Sequence, residues 1–141
     1  MELSKSDYKY FNLAKHQATL SDYIKCHTGC VITYKNKILS QGFNCNKTHP
    51  LQKKFNKYRF SEDGVHKLHA ESNALISIID IEDIDWKKVK VYTYRIMYVD
   101  GKEVMGLAKP CKSCLELIKT LDIHNIYYTT NEGYAHEYLD Y

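Results

Sequence analysis

Polar and apolar positions along the chain alternate in two distinct rhythms. Between about residues 6 and 22, Tyr10, Leu13, Ala14, Gln17 and Leu20 recur at helical spacing and predict an amphipathic helix. Cys30-Val31-Ile32-Thr33-Tyr34 is a β-branched run, Lys35-Asn36-Lys37 reads as a turn, and Ile38 to Phe43 reads as a second strand, so the two runs predict a hairpin. Residues 44 to 67 show neither period. From His69 to about Asp80, the apolar set Ala70, Ala74, Leu75, Ile78 and Ile79 predicts a mostly buried helix, and Val89 to Val99 then reads as a strand. Asp100-Gly101 is a hairpin signal leading into residues 103 to 108. Pro110 suits the first turn of the next helix, whose core stripe continues through Leu115, Ile118 and Leu121, and Ile126 to Thr130 is the expected last strand. Helices interleaved with strands in this way predict a three-layer α/β/α domain around a mixed sheet.

Composition narrows the class. A chain of 141 residues with 44% apolar content can build one core, so a single domain over residues 1–141 is expected. The longest apolar run, near Leu75 to Ile79, is far short of the ~20 residues a membrane span requires, and the N-terminus lacks an apolar secretory core. A soluble, cytoplasmic protein without a membrane partner is the expectation. The net charge of +3 is mild, and the cations are lysines apart from Arg59 and Arg95, which speaks against a dedicated nucleic-acid binder. Five cysteines form an odd set, and Cys111 and Cys114 are spaced C-x-x-C, which in a reducing compartment suggests metal or redox chemistry before a disulfide frame.

That pair is where the chemistry concentrates. His69-Ala70-Glu71 opens one predicted helix and Pro110-Cys111-Lys112-Ser113-Cys114 opens another. Cysteines three apart on a helix share a face, and the positive end of the helix dipole favours their thiolates. With His69 they supply three ligands for Zn2+, whereas a structural zinc normally has four, so the last position is left to a water whose pKa the metal lowers toward about 7. Glu71, beside the histidine, is then placed to carry protons as the catalytic acid and base. The bland alternative, a redox pair or half of a structural metal site with Glu71 merely solvated, would suit a lone C-x-x-C; it is weakened by the H-x-E and by the proline before Cys111.

Taken together, these residues resemble the zinc-dependent cytidine and deoxycytidylate deaminase superfamily, with a likeness running from about Tyr23 to Thr130. His69-Ala70-Glu71-Ser72-Asn73-Ala74 is similar to the deoxycytidylate form of the motif, and Thr28-Gly29-Cys30-Val31-Ile32 with Gly42-Phe43-Asn44 is similar to the family's first hairpin. The resemblance implies the cytidine deaminase-like fold and hydrolytic deamination of a pyrimidine nucleotide, dCMP to dUMP. It also implies Asn44 as a sugar contact and the backbone of Ala70 as a base-edge partner, in a family whose members often assemble into homo-oligomers. Two departures stand out: a hairpin inserted before Pro110, and a tail after Thr130 with little room for a further strand.

Two weaker features complete the reading. Residues 44 to 67 carry Lys47, Lys53, Lys54, Lys57 and Arg59 among Phe55, Tyr58 and Phe60, a long loop suited to a 5′-phosphate, a stacked nucleotide or plain solvent. This loop motivates the alternative of deamination of cytosine or adenine within single-stranded DNA or RNA. A zinc-stabilised scaffold without turnover is a third reading, which an intact Glu71 disfavours. Cys26, Cys45, His49 and His66 form a candidate second zinc set, although their spacing fits no tight template. Cys30 is expected in a buried strand, and His16, His124 and His136 at the surface.

Overall fold

The computed structural model describes residues 3–22, 26–44 and 69–141. In chain order the elements are α1 (Lys5–Ala18), β1 (His27–Tyr34), β2 (Lys37–Phe43), α2 (Ala70–Ile76), a 3-10 turn (Trp86–Lys88), β3 (Val89–Val99), β4 (Lys102–Gly106), α3 (Lys112–Thr120), β5 (Asn125–Thr129) and β6 (Tyr134–Tyr138). Among the described residues no helix is long and apolar enough to cross a membrane.

The strands form one mixed sheet in the order β2-β1-β3-β5-β6. The central strand β3 pairs antiparallel with the whole of β1 along one edge. Its other edge is shared: Lys90 to Thr93 run parallel to β5, and Arg95 to Val99 run antiparallel to β4. Thr129 closes the junction between these two partners. Its hydroxyl accepts from the Arg95 N–H at 3.1 Å and donates to the Gly106 carbonyl at 2.6 Å, and its carbonyl takes the Ala108 N–H at 2.8 Å. The inserted hairpin therefore continues the sheet and hands the chain over to α3.

Alternation along the strands divides the core in two. Val31, Tyr92, Tyr94, Ile96 and Tyr127 pack with Tyr10, Phe11, Ala14 and Ala18 of α1. Cys30, Ile32, Val89, Val91 and Ile126 pack with Ala74 and Leu75 of α2 and Leu117 and Ile118 of α3. This is the expected three-layer α/β/α arrangement, and each fully buried aliphatic side chain in it contributes about 1.5–3 kcal/mol.

Local chemistry sets the boundaries. Helix α1 starts at a capping box in which the Asp7 N–H donates to Ser4 Oγ at 3.1 Å and the Ser4 N–H to Asp7 Oδ2 at 2.9 Å. It stops at Ala18, short of the predicted Asp22, where the Thr19 hydroxyl bonds back to the His16 carbonyl at 2.6 Å, and Leu20 lies beyond the end and exposed. Both hairpins turn as their residues predict, with positive φ at Lys35 and Asn36 in one and at Asp100 and Gly101 in the other. Helix α2 ends at Ile76, earlier than the periodicity to Asp80 suggests. The Ala74 carbonyl there accepts from the hydroxyls of Ser40 and Ser77, at 2.7 and 2.8 Å, and the Ile78 N–H turns back to Leu75.

Three further expectations are corrected. Pro110 precedes the N-cap Cys111 and so stands outside the first turn of α3. Ile126 to Thr130 is not the last strand, because Thr130 organises a tight turn, accepting from the Glu132 and Gly133 N–H groups at 3.1 and 3.0 Å, and β6 follows. His124 is buried, its ring stacked between Tyr138 and Tyr141 and bonded to the Leu139 carbonyl at 2.6 Å; His136 is half-buried and stacked on Tyr127.

Candidate active site

The two helix starts singled out by the sequence meet on the α2/α3 face of the sheet. His69 is the N-cap of α2 and Cys111 the N-cap of α3, both with extended backbone and neither using its side chain as a cap. Their side chains are thus left to turn toward each other. His69 Nδ1 lies 3.4 Å from Cys111 Sγ and 3.4 Å from Cys114 Sγ, and the three atoms all fall within 4.8 Å of one another. Tetrahedral bonds to zinc of about 2.3 Å from sulfur and about 2.0–2.1 Å from nitrogen require an N···S separation of about 3.5 Å, so this donor set fits the ion in size and in chemistry.

Helix α2 is fixed against β2 with little tolerance. The Asn73 side-chain amide donates to the Phe43 carbonyl at 2.9 Å. At Gly42 a Cβ would lie 2.7 Å from the Ala74 nitrogen, so only glycine lets the strand approach the helix this closely. On the α3 side, Cys114 is fully buried with its sulfur 3.6 Å from Ser72 Oγ, while Cys111 Sγ is 3.1 Å from Ser113 Oγ.

The electrostatics are those of a charge-handling site. The hydrogen bond from Cys114 holds the Cys111 thiol far below the ordinary range against the opposing effect of burial, and His69 helps. Cys114 is correspondingly pushed up, first by its bond to Cys111 and then by burial. Glu71, only 5% exposed in the first turn of α2, has its carboxyl pushed up by burial, with His69 pulling the other way and Cys111 adding to the rise. A carboxyl tuned upward next to a metal-ligand cluster suits proton transfer near neutral pH.

The other anticipated residues are placed as follows. Asn44 is buried just past β2, where its Oδ1 accepts from the Thr28 N–H at 2.9 Å and its Nδ2 donates to the Cys26 carbonyl at 3.1 Å. Ala70 is buried at the first position of α2. Cys30 lies fully buried on β1, as expected, and its thiol is pushed well up by burial and then by the charge of Glu71. In the candidate second zinc set Cys26 alone is described; Cys45, His49 and His66 lie outside the described residues, as do Lys47, Lys53, Lys54, Lys57, Arg59, Phe55, Tyr58 and Phe60. The residue that sequence reasoning passed over is Arg95, noted only as one of two arginines: the alternation of β3 puts it on the site face, and its charge acts on Glu71.

Comparison with known proteins agrees with this geometry. The dCMP deaminase of cyanophage S-TIM5 in apo form superposes with a TM-score of 0.60 at 17% identity, covering 92% of this chain and 86% of that one. The same cyanophage enzyme in complex with dCMP and dUMP gives a TM-score of 0.62 at 19% identity, with 92% and 85% covered. At such identities the likeness is one of fold. A search of curated proteins gives no match. The model of the cytidine and deoxycytidylate deaminase zinc-binding region matches residues 4–130, and the chain accordingly belongs to this family of zinc-dependent deaminases.

Proposed function

We propose that the protein converts dCMP and water to dUMP and ammonia, with Glu71 as the catalytic residue and His69, Cys111 and Cys114 as the zinc ligands. The observation that carries this reading is a buried carboxyl two residues from His69, at the start of the helix that supplies one corner of a His/Cys/Cys triangle of zinc dimensions. Zinc held there supplies Lewis acidity that makes water a nucleophile at neutral pH. Glu71 takes a proton from the attacking water and hands it to the ring nitrogen N3 as the oxygen adds to C4. The carboxylate then takes the remaining proton from the new C4 hydroxyl and delivers it to the amine, so that ammonia leaves as the C4 carbonyl forms.

Ala70, buried at the start of α2, is proposed to meet the edge of the base through its backbone, and Asn44 to meet the sugar from the end of β2. Support for a mononucleotide comes from the Asn73-Ala74 continuation of the motif and from the shared fold of the cyanophage enzyme that binds dCMP and dUMP. The experiment is a panel of cytidine, deoxycytidine, their mono- and triphosphates, single-stranded DNA and tRNA, each followed by ammonia release. Turnover of the monophosphate is expected; turnover of polymers alone would overturn the reading in favour of a polynucleotide deaminase.

A further inference from the structure

Arg95 is a cation on the site face of β3 that forms no ion pair among the described residues. Odd-numbered residues of β3 face α2 and α3, since Val89 and Val91 belong to that core, and Arg95 shares their side of the strand. Across the β1–β3 pair, Cys30 sits opposite Thr93 and Thr28 opposite Arg95. Cys30 packs in one cluster with Ala70 and Ala74 of α2, so the Cys30–Thr93 level of the sheet lies against the helix that carries Glu71. Arg95 is half-buried, yet its side chain makes one long bond, Nε to Thr28 Oγ1 at 3.5 Å, and no ion pair among the described residues. Among the described residues, then, most of the five N–H donors of its fork have no acceptor.

The fold clears room for this side chain. Gly106 faces Arg95 across the β3–β4 pair, and a Cβ there would stand 3.0 Å from Arg95 Cδ and 2.7 Å from Met97 Sδ. The inserted hairpin thus contributes a glycine where any larger residue would push the arginine stem aside. Along β3, Arg95 lies two residues, or about 7 Å, beyond the Thr93 level, toward the end of the sheet where Thr28 and Asn44 meet. On the reading proposed above, a nucleotide with its base against Glu71 and its sugar near Asn44 would extend its phosphate in that direction.

We infer that Arg95 is a specificity-determining residue whose guanidinium receives the 5′-phosphate of the substrate. The inference rests on the mononucleotide reading above. A planar fork with free donors in a half-buried setting matches a phosphate by paired, charge-assisted hydrogen bonds, whereas a lysine would offer only a point charge.

The test compares kcat/KM for dCMP with that for deoxycytidine in the zinc-loaded enzyme and in Arg95→Gln and Arg95→Lys. Arg95→Gln is expected to lower the dCMP value by about 10- to 100-fold more than the deoxycytidine value, and Arg95→Lys, which keeps the packed stem and the charge, to restore part of that difference. Calorimetry in the Glu71→Gln background supplies a second readout, with dCMP affinity falling further than deoxycytidine affinity on Arg95→Gln. Equal losses on both substrates would reveal a structural role and overturn the inference. A wild type that gains nothing from the phosphate also overturns it, with the deaminase chemistry left standing. Turnover of single-stranded DNA alone would overturn the mononucleotide reading and the role of Arg95 with it.

Discussion

Among the described residues two carboxylates are buried, one on each face of the sheet, and their surroundings give them opposite properties. Asp7, on α1, accepts from the Tyr92 hydroxyl and from the Ser4 N–H. Burial alone would raise its carboxyl, but the Tyr92 hydroxyl, the Ser4 backbone and side chain and the charge of Lys90 outweigh it and hold the group below its ordinary value of 3.8. Glu71 is as buried, but no comparable set of donors holds its charge, and its proton affinity rises. The same side-chain chemistry thus gives a charged structural anchor where donors surround it and a carboxyl of raised proton affinity, suited to the proposed proton transfer, where they do not.

The sharpest break in this comparison comes from the metal side. Cys114→Ser exchanges a buried thiol for a weaker ligand, so metal analysis should find well under one zinc per chain, with activity lost by at least about a thousandfold. Retention of stoichiometric zinc by this variant would remove Cys114 from the ligand set.

Asp7→Asn should act on stability alone. With the charge-assisted bond to Tyr92 weakened, unfolding by urea should show a loss of about 1–3 kcal/mol, while kcat and KM for the nucleotide stay within about twofold. A large kinetic effect with unchanged stability would erase the distinction between the two acids.

The smallest effect is the pH signature of Asp7. Because its folded pKa is depressed, its stabilising contribution is present above the unfolded value of 3.8 and is lost as pH falls through the lower folded value. The stability difference between wild type and Asp7→Asn should therefore shrink below about pH 4. A difference that widens there would reverse the assigned direction.

The gathering of His69, Cys111 and Cys114 was more legible in the sequence than the ends of the elements around it. His69, Glu71, Cys111 and Cys114 were legible because zinc chemistry demands particular side chains at particular spacings, and helix starts bring such residues together wherever they lie in the chain. The sheet was legible through alternation, with β3 recovered from Val89 to Val99. What stayed hidden depends on distant partners. The early end of α2 comes from Ser40, a residue of β2, bonding to the Ala74 carbonyl. The strand β6 is short and polar, and Tyr134, His136 and Tyr138 read as tail until β5 offers them an edge. His124 read as a surface group because its burial comes from Tyr138 and Tyr141, which reach it only through that strand. Arg95 looked like an ordinary strand cation, and only pairing with Thr28 and Gly106 gives it a place in the site.

Zinc content and ammonia release, measured together on Glu71→Gln, test the central claim most directly. The variant should fold as wild type, hold one zinc per chain, and turn over dCMP at least about a hundredfold more slowly, because its amide can neither accept nor return the proton. Normal turnover with zinc in place would contradict the role assigned to this carboxyl.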